Sequence, residues 1–104
     1  MPGCYNRTVM KQPCVYILAS RRNGTLYVGV TSDVVRRIHQ HGTGETGGFA
    51  RKYGVHRLVY AEFHSTMTEA IRREKQIKEW RRAWKVSLIE KGNPLWGDLY
   101  DDLL

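Results

Sequence analysis

Cysteine is almost missing from this chain. Cys4 and Cys14 are the whole supply, too few for a disulfide framework and without the C-x-x-C spacing of a zinc or redox site. Cys14 is expected reduced in a strand, and Cys4 in a loose tail. Long apolar runs are missing too: none nears the roughly 18 residues of a membrane span. Met1–Gln12 lacks the apolar core of a secretory signal, so a cytoplasmic protein with no membrane partner is expected. Acidic residues are in short supply, 10 Asp and Glu against 17 Lys and Arg, for a net charge of +7. That excess points to a polyanionic partner, most often nucleic acid; the competing reading is a basic protein that is merely soluble. No repeat, low-complexity tract or linker interrupts the 104 residues, of which 41% are apolar. One small domain with a real core is therefore expected. Residues 1–12 show no periodicity and read as a poorly ordered arm, with the domain over 13–104.

Two runs of β-formers, Cys14–Ser20 and Thr25–Thr31, flank Arg21-Arg22-Asn23-Gly24. Asn-Gly in that setting predicts a two-residue hairpin loop with both turn residues at positive φ. Such a loop pairs Arg22 with Thr25, Ser20 with Tyr27 and Leu18 with Gly29. Alternation then puts Val15, Ile17 and Ala19 on one face with Leu26, Val28 and Val30, an aliphatic core surface. Tyr16 and Tyr27 fall on the other face, where Gly29 leaves open space beside them.

Downstream, Thr31 or Ser32 is expected to cap a helix with Asp33 in its first turn. That helix runs to about His41 and is stopped by Gly42. Val34, Val35 and Ile38 make its buried stripe, with Arg37 and His41 neighbours on the flank. Gly42–Gly48 reads as a flexible loop without the GK[ST] ending of a P-loop, and 49–54 as a helical turn ended by Gly54. Arg57–Phe63 predicts a third strand, in which Leu58, Tyr60 and Glu62 alternate with Val59, Ala61 and Phe63. Thr66-Met67-Thr68-Glu69 is a capping box. It opens a helix to Arg81 or Arg82 with Ala70, Ile71, Ile77 and Trp80 as its stripe. Another helical stretch, with Trp84, Leu88 and Ile89, ends at Lys91-Gly92 before Pro94. Leu95, Trp96, Leu99 and Tyr100 form a packing tail.

Glu74 is the anomaly. Its spacing from Ala70, Ile71 and Ile77 sets a carboxylate inside an apolar stripe, where a charge needs a partner or a metal. Arg57 and Arg37 are the candidate partners for a structural salt bridge. Other residues have ordinary readings: Arg37 as a solvated charge, His41 as a helix C-terminal cap, Asn93 before Pro94 as a turn initiator. His39 and His41 lie two apart on a helix and diverge, so a shared metal is not expected. His56 and His64 flank the third strand with no convergent partner. Residues 72–85 form a basic band. Arg72, Arg73, Lys75 and Lys78, with Arg36, Arg51 and Lys52, are candidates for tracking a nucleic-acid backbone. The Trp rings are expected in the core rather than stacked on bases.

Val15-Tyr16 followed by Tyr27-Val28-Gly29 in a hairpin resembles the paired motif of the GIY-YIG endonuclease superfamily, with Cys14 where the family name has Gly. The run Arg73-Glu74-Lys75-Gln76-Ile77-Lys78-Glu79-Trp80 and the tail Asn93-Pro94-Leu95-Trp96 resemble its short stand-alone branch, over about residues 14–96. The resemblance implies an α/β (α+β) sandwich, a small three-stranded antiparallel sheet flanked by helices in β-β-α-β-α-α order. It also implies a metal-dependent endonuclease that hydrolyses phosphodiester bonds of nucleic acid, DNA before RNA, by a one-metal mechanism. On that resemblance Glu74 matches the metal ligand, holding Mg²⁺ (or Mn²⁺) together with waters and substrate oxygens. Arg37 matches the catalytic arginine, and Tyr16 and Tyr27 the two motif phenols. His41 matches a histidine of several branches, and Asn93 a late asparagine that holds the site in shape. The excision-repair branch has a lysine where this chain has Val30, which implies a different proton relay here. A non-catalytic nucleic-acid-binding module on the same fold is the alternative. Monomer and homodimer both stay open.

Overall fold

A computed structural model of the chain describes residues 12–43, 54–55 and 57–103. Among them the elements are β1 (Cys14–Ala19), β2 (Leu26–Thr31), α1 (Val34–Thr43), β3 (Arg57–Phe63), α2 (Met67–Glu79), α3 (Arg82–Gly92) and α4 (Tyr100–Leu103). The strands make one antiparallel sheet in the order β2-β1-β3. This is the implied sandwich, with one further helical turn at the end. No helix among the described residues is long and apolar enough to cross a membrane.

Every residue of β1 is buried, because β1 is the central strand and helices cover both faces. Val15, Ile17, Ala19, Val28 and Val59 pack with Ala70 and Ile77 of α2, Ile89 of α3, and Trp96. Cys14, Tyr16, Leu18 and Leu58 pack with Val34 and Ile38 of α1, and Val55. The face expected to hold two phenols and open space is therefore a second core layer. Burial pushes the Cys14 thiol up to about 12, and it is free, as expected.

The hairpin register is two residues from the expected one. Leu18, not Ser20, pairs with Tyr27, and Tyr16 pairs with Gly29. The chain turns over Arg21–Gly24, with Gly24 N–H donating to Arg21 O at 2.9 Å and Ser20 N–H to Thr25 O at 3.1 Å. Thr25 N–H donates to Ser20 Oγ at 3.0 Å. Of the Asn-Gly pair only Asn23 takes positive φ, 60°. The Ser20 hydroxyl gives the backbone a local partner that competes with the tighter turn. A slide of two preserves side-chain parity, so the aliphatic and phenolic faces hold.

Strict alternation fails in β3. Ile17 pairs with Tyr60 and Leu18 with Leu58, so Val59 is the extra residue of a β-bulge. Val59 and Tyr60 both join the layer of Ile17, and Leu58 the layer of Tyr16. Asp33 itself caps α1, its Oδ1 accepting Arg36 N–H at 3.3 Å. Thr31 Oγ1 accepts Asp33 N–H at 3.1 Å and so holds the cap rather than being it. Thr66 caps α2 as expected, accepting Glu69 N–H at 3.2 Å.

The second helix ends earlier than its stripe suggested, at Trp80, where ψ swings to 148°. Ile71 and Trp84 then face solvent, 38% and 53% exposed, while Trp96 is buried. The segment after Trp96 docks on β3: Leu99 N–H donates to Leu58 O at 2.8 Å, and Asp98 Oδ1 accepts Leu58 N–H at 3.2 Å. The expectations for residues 1–11, for the loop and turn over 44–53, and for His56 lie outside the described residues.

Candidate functional site

The closest approach in the phenolic layer is between Tyr16 and Gly29. A Cβ built on Gly29 would lie 2.5 Å from both Cζ and the hydroxyl of Tyr16. The space that glycine leaves is thus filled by the ring of its cross-strand partner. Tyr27 lies beside it, ring centroids 6.3 Å apart and tilted by 38°. Burial pushes the Tyr16 phenol above its ordinary range, and the neighbouring Tyr27 phenol adds to this, while the Arg37 guanidinium opposes it. Tyr16 is fully buried and Tyr27 only partly so. Arg37 comes from the first turn of α1 and lines a polar hollow of about 260 Å³ with Thr31, Ser32, Asp33 and Arg36. Two guanidiniums at a helix N-terminus make this an anion-attracting concavity. Arg36, although its neighbour in sequence lies on the flank of the buried stripe, shares the same hollow.

Glu74 belongs to the other layer. It is buried with Ala70 and Ile77 on the inward side of α2, and those two pack against the aliphatic face of the sheet. The sheet lies between that face and Tyr16, so the Glu74 carboxylate and the buried phenol sit in different layers. The Glu74 carboxylate meets Lys78 Nζ at 2.6 Å, with the Lys78 side chain 54% exposed. The ion pair runs i to i+4 along one helix, and neither Arg57 nor Arg37 takes it. Arg57 instead donates to Trp96 O at 3.1 Å.

One hard, largely buried carboxylate opposite a half-exposed ammonium suits a divalent cation, because a buried carboxylate needs a cationic partner and the metal can take the place of Lys78. No cluster of three or more His, Cys, Asp or Glu exists among the described residues. The fit is therefore to an ion that takes one carboxylate and completes its shell with water and phosphate oxygens, as Mg²⁺ does.

Asn93 is a bracket. Its Nδ2 donates to Val59 O at 3.2 Å and Gly97 O at 2.9 Å, and its Oδ1 accepts Gly97 N–H at 3.0 Å. It thereby satisfies a carbonyl that the bulge in β3 leaves out of the ladder. The side chain of His41, and both Arg51 and Lys52, lie outside the described residues. Arg72, Lys75 and Lys78 are exposed on α2.

Arg73 is not a free backbone-tracking cation. Its Nε donates to both oxygens of Glu62, at 3.3 and 3.1 Å, and its guanidinium lies 5.1 Å over Trp80. Glu62 also accepts from Tyr60 at 2.5 Å and pairs with His64 Nε2 at 2.5 Å, the partner that the sequence had not shown for His64. Burial alone would raise Glu62, but the bonds from Tyr60 and His64 and the Arg73 charge together hold it below its ordinary value. Burial and Glu62 in turn push Tyr60 up to about 12. Tyr60 and Glu62 share a face, as strand alternation has it, and α2 brings Arg73 to that face.

A GIY-YIG catalytic domain profile matches residues 12–87. A UPF0213 protein of Staphylococcus saprophyticus is 34% identical over 80% of this chain and its own full length. One from Streptococcus agalactiae is 32% identical over 80% of this chain and 94% of its own. The solution NMR structure of the UPF0213 protein from Bacillus halodurans superposes with a TM-score of 0.53 at 32% identity, covering 84% of this chain and 92% of that one. With the paired tyrosine motifs, the Gly29 contact and the sheet order all in place, this chain belongs to the GIY-YIG family.

Proposed function

We propose that this protein is an endonuclease that hydrolyses phosphodiester bonds of nucleic acid, with DNA favoured over RNA. The observation that carries the reading is the pairing of Tyr16 with Tyr27 beside Gly29, with the Arg37 guanidinium acting on the Tyr16 phenol and lining the two-guanidinium hollow. Arg37 offers a planar fork to the scissile phosphate and offsets charge that builds there. Tyr16 keeps its proton and supports Tyr27, the phenol with access to solvent. Tyr27 is accordingly the better placed to orient the attacking water and move its proton. His41, one turn beyond Arg37, is the candidate donor to the leaving oxygen. Glu74 would hold Mg²⁺ or Mn²⁺, which when bound supplies Lewis-acid stabilisation of the phosphate. Arg36, Arg72, Lys75 and Lys78 would contact the backbone, and Asn93 keeps β3 in shape.

The closed Glu74–Lys78 pair favours a second reading, a nucleic-acid-binding module without cutting activity. A Mg²⁺ and Mn²⁺ titration on branched, single-stranded and duplex DNA, and on RNA, separates them. Wild type should cut at least one of these only with metal, while Glu74→Ala and Arg37→Ala should lose cutting, with Glu74→Ala still binding. Binding without metal-dependent cutting on every substrate favours the second reading. Cutting by Glu74→Ala at the wild-type rate removes the metal assignment.

A further inference from the structure

The hydrolytic reading leaves two tryptophans unused. Trp80, where α2 ends, and Trp84 in α3 meet edge to face, centroids 6.1 Å apart at 78°. With Ser87, Leu88 and Lys91 they line an open groove of about 400 Å³. Trp84 leaves 53% of its surface in solvent, an apolar area that water covers at a cost. The surroundings are cationic. The Arg81 guanidinium lies 5.3 Å over the Trp84 ring and Lys91 stands in the wall, while Arg73, held by Glu62, covers Trp80. Residues 72–91 hold eight Lys and Arg against three Glu, so the two helices that carry the indoles have an excess of positive charge.

We propose that this groove is a second nucleic-acid contact that takes an unstacked base, with the indoles against the base and the cations on the flanking phosphates. The proposal rests on the nucleic-acid reading above but not on hydrolysis. Charge selects the occupant. A second copy of this chain would bring two cationic rims together, and an apolar peptide would leave the cations unpaired. A nucleic-acid strand supplies π faces and anions at once, and stacking tolerates every base.

The test uses the full chain in EDTA, where no cutting intervenes. Binding of an oligothymidylate is compared with that of an abasic deoxyribose-phosphate strand of equal length and charge. Wild type should prefer the oligothymidylate by roughly 10-fold, the scale of one stacked base, with quenched tryptophan emission. Trp84→Ala should lose that preference, and Trp84→Phe should keep most of it. Ser87→Gln, a neutral, bulkier side chain in the groove wall, should reduce the preference for oligothymidylate and serves if Trp84→Ala does not fold. Equal affinity for both strands, or a preference that survives both Trp84→Ala and Ser87→Gln, overturns the proposal. So does a concentration-dependent dimer that Trp84→Ala abolishes. Base preference without cutting on any substrate removes the hydrolytic reading alone; cutting without base preference removes this one alone.

Discussion

Replacing Gly29 with Ala isolates one contact and can have either sign. The backbone of Gly29 is not in the left-handed region, so alanine is conformationally acceptable there. Through the unfolded chain alone, Gly→Ala at such a position stabilises by about 0.4–1 kcal/mol. The new methyl, however, would sit 2.5 Å from Cζ and the hydroxyl of Tyr16, and that ring is fully buried with no slack. Forcing a methyl into a packed layer costs about 1–3 kcal/mol. The net is a loss of about 1–2 kcal/mol, which for a domain of this size lowers Tm by roughly 5–15 °C. Thermal melts followed by circular dichroism read this directly. In a Tyr16→Leu background the same substitution should become neutral or stabilising, because the atoms it strikes are gone. An equal loss in both backgrounds, or a higher Tm for Gly29→Ala alone, would refute the contact.

Asn93→Ala should cost about 1–3 kcal/mol in urea unfolding, because the Val59 and Gly97 carbonyls lose their donor; Asn93→Asp, which keeps only the acceptor, should recover little. Glu62 is held below its ordinary value of 4.5, so its contribution is fully present above that pH and is lost as pH falls through the lowered native value. The Tm difference between wild type and Glu62→Gln should therefore be largest near neutrality and shrink in acid; a constant difference refutes the ionised cluster. Lys78→Ala leaves the buried Glu74 carboxylate without its ammonium, so without metal it should cost about 1–3 kcal/mol, and it should tighten Mn²⁺ binding in a direct titration; weaker Mn²⁺ binding would show that the ammonium does not compete for Glu74.

The sequence made the faces of the hairpin legible because parity survives a slide of two residues. It did not make the turn legible: the Ser20 hydroxyl bonds Thr25 N–H, and no propensity for Asn-Gly encodes that competitor. The bulge at Val59 was hidden because β3 alternates well on paper; only pairing with β1 reveals the extra residue. Trp84, expected in the core with Leu88 and Ile89 of its own helical stretch, is exposed instead: that helix starts in a new phase after the break at Trp80, and spacing within so short a helix does not say which side meets the sheet. Lys78 stands four residues after Glu74, the spacing of a helical ion pair, and takes the carboxylate ahead of the more distant Arg37 and Arg57. The phenols and Arg37 were found through their motif, and the layer that holds Glu74 followed only from three-dimensional packing.

The middle strand of the sheet is also the first one synthesised. Once Thr31 has left the ribosome, β2 can zip onto one side of β1, but the other side has to wait for Arg57–Phe63. Those pairings are non-local and raise contact order in a chain this short, which slows folding. Meanwhile the nascent hairpin offers an unpaired edge made wholly of apolar side chains, a docking point for chaperones or for a second nascent chain.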